Sequence, residues 1–127
     1  MKNKIEKFTD LIAWKENHEL TLIVYDVTKK FPEEEKFGLT NQMRRCAVSI
    51  TSNVAEGFSR STPKDKNSFF FRALGSVTEL QNQLLLSKDL KYIKDEDFQV
   101  CAEKSVRAHK LINGLIKSNN KRVASKK

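Results

Sequence analysis

A chain of 127 residues with 39% hydrophobic and 31% charged residues is sized for one domain built on a single core. It has no run of roughly 18 or more apolar residues of the kind that spans a bilayer, and Met1-Lys2-Asn3-Lys4 leads into no apolar segment, so a cytoplasmic protein with no membrane association is expected. The formal charge of +8 is unevenly placed: five of the 24 basic residues fall in 117–127, which holds no acid, leaving 19 bases against 16 acids elsewhere.

Over residues 10–30 apolar side chains form two adjacent helical stripes, Leu11, Trp14, Leu22 and Tyr25 beside Ala13, Leu20, Val24, Val27 and Phe31. A helix apolar over so much of its circumference needs more than one partner. Thr9 or Asp10 is placed to cap it, and Phe31-Pro32 ends it, because the residue before proline avoids the helical region. Glu33, Glu34 and Glu35 suit the positive end of a new helix. A second helix is expected over 39–56, with Leu39, Met43, Cys46, Ile50 and Val54 on its buried stripe. Gly57 reads as its left-handed cap, with Phe58 folding back on the last turn.

Thr62-Pro63-Lys64-Asp65 is a start signal, with a hydroxyl cap, proline at the first helical position and an acid three residues after the cap. The third helix, 63–90, carries Phe70, Ala73, Val77, Leu80, Leu84 and Ser87 on one stripe. Asp95 is placed to cap a fourth, 96–117, whose apolar set includes Phe98, Cys101, Ala102, Val106, Leu111, Ile112, Leu115 and Ile116. No segment alternates with the two-residue period of a strand. The expected fold is all-α: an antiparallel up-and-down four-helix bundle spanning residues 1–117. Residues 118–127, rich in Lys, Ser and Asn, read as a basic disordered tail.

The polar side of the second helix is unusual. Arg45, Ser49, Ser52, Asn53 and Glu56 stack a cation, hydroxyls, an amide and a carboxylate along one stripe, where Glu and Lys would be better helix formers. Arg72, Ser76, Glu79 and Gln83 make a similar stripe on the third helix. Two readings stand side by side. In one, Ser49, Asn53, Glu56, Ser76 and Glu79 form an interhelical network completed by Arg45, which fixes register. In the other, Arg44, Arg45 and Arg72, with Arg60 and Lys64 at the nearby turn, face a polyanion, for which arginine forks are well shaped.

The chemistry of an enzyme is not apparent. The chain lacks a glycine-rich phosphate loop, an HExxH motif and paired metal ligands, and His18 and His109 stand apart from any nucleophile. Glu56 and Glu79 could approach each other, but the further carboxylates and Glu-x-x-His motifs of a di-metal bundle are missing. Cys46 and Cys101 sit on helical patterns and read as reduced, packed thiols. No catalytic residue, metal or cofactor is expected.

In order and spacing, Phe8-x-x-Leu11-x-x-Trp14-Lys15, Tyr25, Phe31-Pro32-x-Glu34, Gln42-x-Arg44-Arg45, Ser49-Ile50-x-Ser52-Asn53-Val54-Ala55-Glu56-Gly57 and Gly75-Ser76-x-x-Glu79-Leu80 resemble the bacterial four-helix-bundle proteins encoded within 23S rRNA intervening sequences. The resemblance covers residues 8–93 and departs from the family pattern at Thr51, commonly proline, and at Leu74, often arginine. It implies a homopentameric ring, and kinship with the accessory protein of diversity-generating retroelements, a basic pentamer that binds nucleic acid and a reverse transcriptase. The expectation is therefore a non-enzymatic, oligomeric protein that binds structured RNA or RNA/DNA largely without sequence preference, through Arg44, Arg45, Arg60, Lys64 and Arg72. The alternative is a protein–protein assembly adaptor whose polar stripes are structural.

Overall fold

The computed structural model describes residues 4–125; residues 1–3, and the last two lysines of the expected tail, lie outside the described residues. Four helices account for the fold: α1 (Ile12–Thr28), α2 (Leu39–Ser59), α3 (Pro63–Asp89) and α4 (Asp95–Ser125), with single 3-10 turns at Phe8–Asp10 and Glu33–Glu35. Each helix packs on its neighbours in sequence and α4 closes against α1. The side-chain pairs crossing each seam run in opposite senses. Thr21 reaches the Ala47 carbonyl while Arg44 reaches Thr28, and Gln81 meets Ser105 while Asn67 meets Asn119. The chain is an antiparallel up-and-down four-helix bundle with no strand among the described residues.

The expected stripes of α2 and α3 are the core. Leu39, Met43, Cys46, Ile50 and Val54 are all buried, and so are Phe70, Ala73, Val77, Leu80, Leu84 and Ser87. On α1 the second expected stripe is fully interior, with Ala13, Leu20, Val24, Val27 and Phe31 buried; of the first, Leu11 and Trp14 are half-buried against the core, whereas Leu22 is 57% exposed and Tyr25 39%. Asn17 completes the inner stripe, fully buried, its Nδ2 donating to the Ala13 carbonyl at 2.7 Å.

Several end signals act differently from expectation. Thr62 does cap α3, its hydroxyl accepting from the Asp65 N–H at 3.2 Å with Pro63 beside it. Asp10 does not cap α1; its carboxylate accepts from the N–H groups of Glu6 and Lys7, both at 3.0 Å, and so closes the preceding 3-10 turn. Asp95 is the first residue of α4 rather than its cap. Gly57 is not a left-handed cap either: no glycine has positive φ, and α2 continues through it to Ser59, with Phe70 so close that a Cβ at Gly57 would meet its ring at 2.6 Å. The left-handed residue is Lys91, at φ 63°, just after α3.

The expected disordered tail is also corrected, at residues 118–125. These extend α4 without interruption, and Asn119 is buried. Asn119 Nδ2 donates to Asn67 Oδ1 at 2.8 Å, and Asn67 Nδ2 donates to Asn120 Oδ1 at 3.1 Å. These bonds dock the end of α4 on the start of α3, in a stretch that contains neither glycine nor proline to stop a helix.

At the opposite end, Tyr92 donates its hydroxyl to Glu35 Oε2 at 3.0 Å, while Glu35 Oε1 accepts from the first N–H of α2, that of Leu39, at 3.1 Å. The Tyr92 ring also lies 5.5 Å from that of Phe31. One carboxylate therefore joins two loops to the start of α2.

Candidate nucleic-acid interface

The polar stripes of α2 and α3 meet along their shared seam. Ser49 and Ser76 hydroxyls lie 3.0 Å apart, and Asn53 Nδ2 donates to both the carbonyl and the hydroxyl of Ser49, at 2.8 and 3.1 Å. Cys46 extends the line, its Sγ–H donating to the Ser76 carbonyl at 3.0 Å. Burial, reinforced by the charge of Glu79, pushes this thiol up to about 12, so it is a neutral donor at pH 7. Ser49, Asn53 and Ser76 are thus brought together as one partly buried network. Glu56 stands outside it, exposed and turned outward to pair with Arg60 at 3.2 Å, and Glu79 is exposed at its edge, its charge felt by Cys46.

The five basic residues divide among three faces. Arg44 is committed within the fold. Its Nε donates to the Thr28 hydroxyl at 2.9 Å and its Nη2 to the Tyr25 carbonyl at 3.2 Å, and its guanidinium centre lies 4.8 Å from the centroid of the Tyr25 ring. It is half-buried at the α1–α2 seam. Lys64 lies on the α3–α4 side, at a cleft shared with Phe71 and Val123.

Arg60 and Arg72 are brought together, and by a residue that charge patterning does not single out. The Arg60 and Arg72 guanidinium centres stand 4.6 and 4.8 Å from the centroid of the Phe69 ring. Phe69, Phe70 and Phe71 are consecutive, and on a helix successive side chains diverge by roughly 100°. Only Phe70 therefore enters the core; Phe69 leans toward the end of α2 and Phe71 is 59% exposed toward α4. Three consecutive aromatics on a helix are the signal for it, since a single buried stripe cannot hold them all.

Arg45 is exposed, on the same outer line of α2 as Glu56, with no hydrogen bond or ion pair to it among the described residues. From Arg45 to Arg60 the α2 line runs about 22 Å at 1.5 Å per residue, and Arg72 faces it from α3. Glu56 and Glu79 break the run of positive charge. Past its Arg60 end, the extension of α4 brings Arg122 beside Lys66. Among the described residues no group of three His, Cys, Asp or Glu side chains could hold a metal ion. His18 instead stacks on Trp14, with ring centroids 4.6 Å apart. No described helix is long and apolar enough to cross a membrane.

No curated protein matches the sequence. A crystal structure of a protein of unknown function from the S23 ribosomal protein family of Bacteroides thetaiotaomicron shares the fold, with a TM-score of 0.77 and 23% identity over 84% of this chain and 96% of that one. The family model described as 23S rRNA-intervening sequence protein matches residues 9–114, and the chain belongs to that family.

Proposed function

We propose that this chain is a non-enzymatic, oligomeric protein of the cytoplasm that binds the phosphate backbone of structured RNA, in association with 23S rRNA intervening sequences. The observation that carries this reading is the pair of guanidinium groups held over Phe69. Stacking on an aromatic face fixes a guanidinium while leaving its N–H edge free for bidentate contact with phosphate. Two such groups on one ring, Arg72 with no ion pair among the described residues and Arg60 sharing one N–H with exposed Glu56 at 3.2 Å, join Arg45 further along and Lys64 around the bundle end as a positioned set of phosphate donors. Arg44 is not among them, since its donors are committed to Thr28 and Tyr25. Backbone contacts of this kind carry no base information, so binding is largely independent of sequence. The family's name supports RNA as the polyanion.

Titration of a fluorescent RNA hairpin at several salt concentrations tests the reading. If Arg45, Arg60, Lys64 and Arg72 each contact one phosphate, log Kobs falls against log salt with a slope of about −3 to −4. A flat dependence, or no binding near 50 mM salt, sinks it.

A second reading, an adaptor for protein assembly, is favoured by a different observation. Leu85 and Val106 are 54% and 60% exposed and line one apolar cleft of about 290 Å³ between α3 and α4. Such a strip suits contact between copies of the chain, and the family resemblance makes a pentamer the expected count. Light scattering with absorbance at 260 nm separates the readings. A pentamer free of nucleic acid that also fails to bind the hairpin favours the adaptor.

A further inference from the structure

At the end of the bundle where α2 stops and α3 begins, a cavity of about 360 Å³ opens between the helices. Its walls are mostly apolar, formed by Ile5, Leu11, Phe58, Phe70 and Leu115 with Ser118 and Asn119 on the α4 side, and two cations, Lys66 and Arg122, stand at it. No carboxylate lines it, and among the described residues neither cation has an ion-pair partner. Volumes of roughly 300–1,000 Å³, mostly apolar with a few convergent polar groups, are typical of small-molecule sites.

We infer that this cavity is a binding site for a small amphipathic anion, a single carboxylate or phosphate on an apolar body, with Lys66 and Arg122 taking the head and Phe58 and Leu115 the body. Two cations without a carboxylate partner among the described residues converge there beside an apolar wall, an arrangement that suits an anion carrying an apolar body. Burial first, then the nearby charge of Arg122, lowers the Lys66 pKa from the ordinary value. Its Nζ donates to the Phe58 carbonyl at 2.6 Å, closing the end of α2, and two further donor positions are left for a ligand. The apolar wall sets the selectivity. A bare inorganic ion gains nothing from Phe58 and Leu115, and a neutral chain gains nothing from the cations. The site is separate from the Arg60–Phe69–Arg72 surface and does not rest on the RNA-binding reading.

The test is titration of the full chain with decanoate and with monodecyl phosphate, followed by backbone and methyl NMR, with decanol and decyltrimethylammonium as controls. Saturable shifts at Phe58, Leu115 and Arg122, with decanoate or decyl phosphate binding at least tenfold more tightly than either control, are expected. The two anions compared with each other identify the preferred head group. Arg122→Glu, at an exposed position, weakens binding at least tenfold, and Leu115→Trp fills the cavity and abolishes it with both cations retained. RNA affinity of Leu115→Trp stays at the wild-type value, so failure here is distinguishable from failure of the RNA reading. Decanol binding as tightly as decanoate, shifts centred elsewhere, unchanged binding by Arg122→Glu, or no binding at all overturns the assignment.

Discussion

Gly57 of α2 lies flat against the ring of Phe70 of α3, and a Cβ at that position would meet Phe70 Cε1 at 2.6 Å, Cδ1 at 2.8 Å and the Lys66 carbonyl oxygen at 3.1 Å. Phe70 is buried and Lys66 contributes backbone, so neither gives way easily. Gly57→Ala is expected to destabilise the protein by about 1–3 kcal/mol through overpacking, even though alanine is the better helix former. Gly75 and Gly114 are the controls: a Cβ at either has nothing within 4 Å. There the same substitution stabilises by about 0.5–1 kcal/mol. Urea midpoints at unchanged slope measure all three. If Gly57→Ala gains stability like the others, the close approach is not real.

Arg44 and Arg72 are expected to separate structure from binding. Arg44→Ala removes two hydrogen bonds and a cation–ring contact from the α1–α2 seam. It is expected to cost about 1–2 kcal/mol of stability and to leave RNA affinity unchanged. Arg72→Ala removes an exposed group whose contact is the Phe69 ring. It shifts stability by under about 0.5 kcal/mol and weakens hairpin binding several-fold at low salt. Parallel denaturation and RNA titration of the two variants decide the matter, and the opposite pattern would place the phosphate contacts on the α1–α2 face.

Legibility in the sequence tracks how local the determining contact is. The stripes Leu39 to Val54 and Phe70 to Ser87 are legible because each belongs to a helix with one buried side, so periodicity alone reports burial. On α1 two stripes are apolar and only one is fully interior; Leu22 and Tyr25 show that periodicity ranks faces poorly when two are apolar. Gly57 misleads because glycine near a helix end signals a stop, whereas its role is set by Phe70 on another helix. The end of α4 looks disordered because its composition is polar, yet its order comes from the bonds between Asn119 and Asn67, 52 positions apart. Of the candidate site, charge alone points to Arg60 and Arg72, but not to the ring that joins them. The role of Arg44 is not legible either, since its partners Thr28 and Tyr25 lie on another helix.

Lys91 holds a conformation that costs it. With φ at 63° it follows α3 as the left-handed residue of a closed end, its own N–H bonded to the Lys88 carbonyl at 3.0 Å and the N–H of Tyr92 to the Ser87 carbonyl at 2.9 Å. That double closure is the pattern for which glycine is preferred, since a Cβ in the left-handed region costs about 1–2 kcal/mol. Lys91→Gly is expected to raise stability by about 1 kcal/mol, read as a higher urea midpoint. A lower midpoint would mean that the turn is not held in this geometry.

The two thiols give an alkaline signature whose sign follows from their burial. Cys46 and Cys101 are 6% and 0% exposed, and burial pushes them up to about 12 and about 11, the charges of Glu79 and Asp97 adding to it. Both stay protonated in the fold through a range where an unfolded chain, at the ordinary value of 9.0, already ionises. Below pH 9 their contribution is fully present; above it the unfolded state binds fewer protons and stability falls, until the folded values are reached. Urea unfolding between about pH 8 and 11 should therefore show a steeper alkaline loss for the wild type than for Cys46→Ala/Cys101→Ala. The same burial predicts that iodoacetamide at about pH 8 labels neither cysteine in the native protein and both in urea. Rapid native labelling of Cys46 would show that the Ser49–Ser76 seam opens, and the polar network could then no longer be counted as fixed structure.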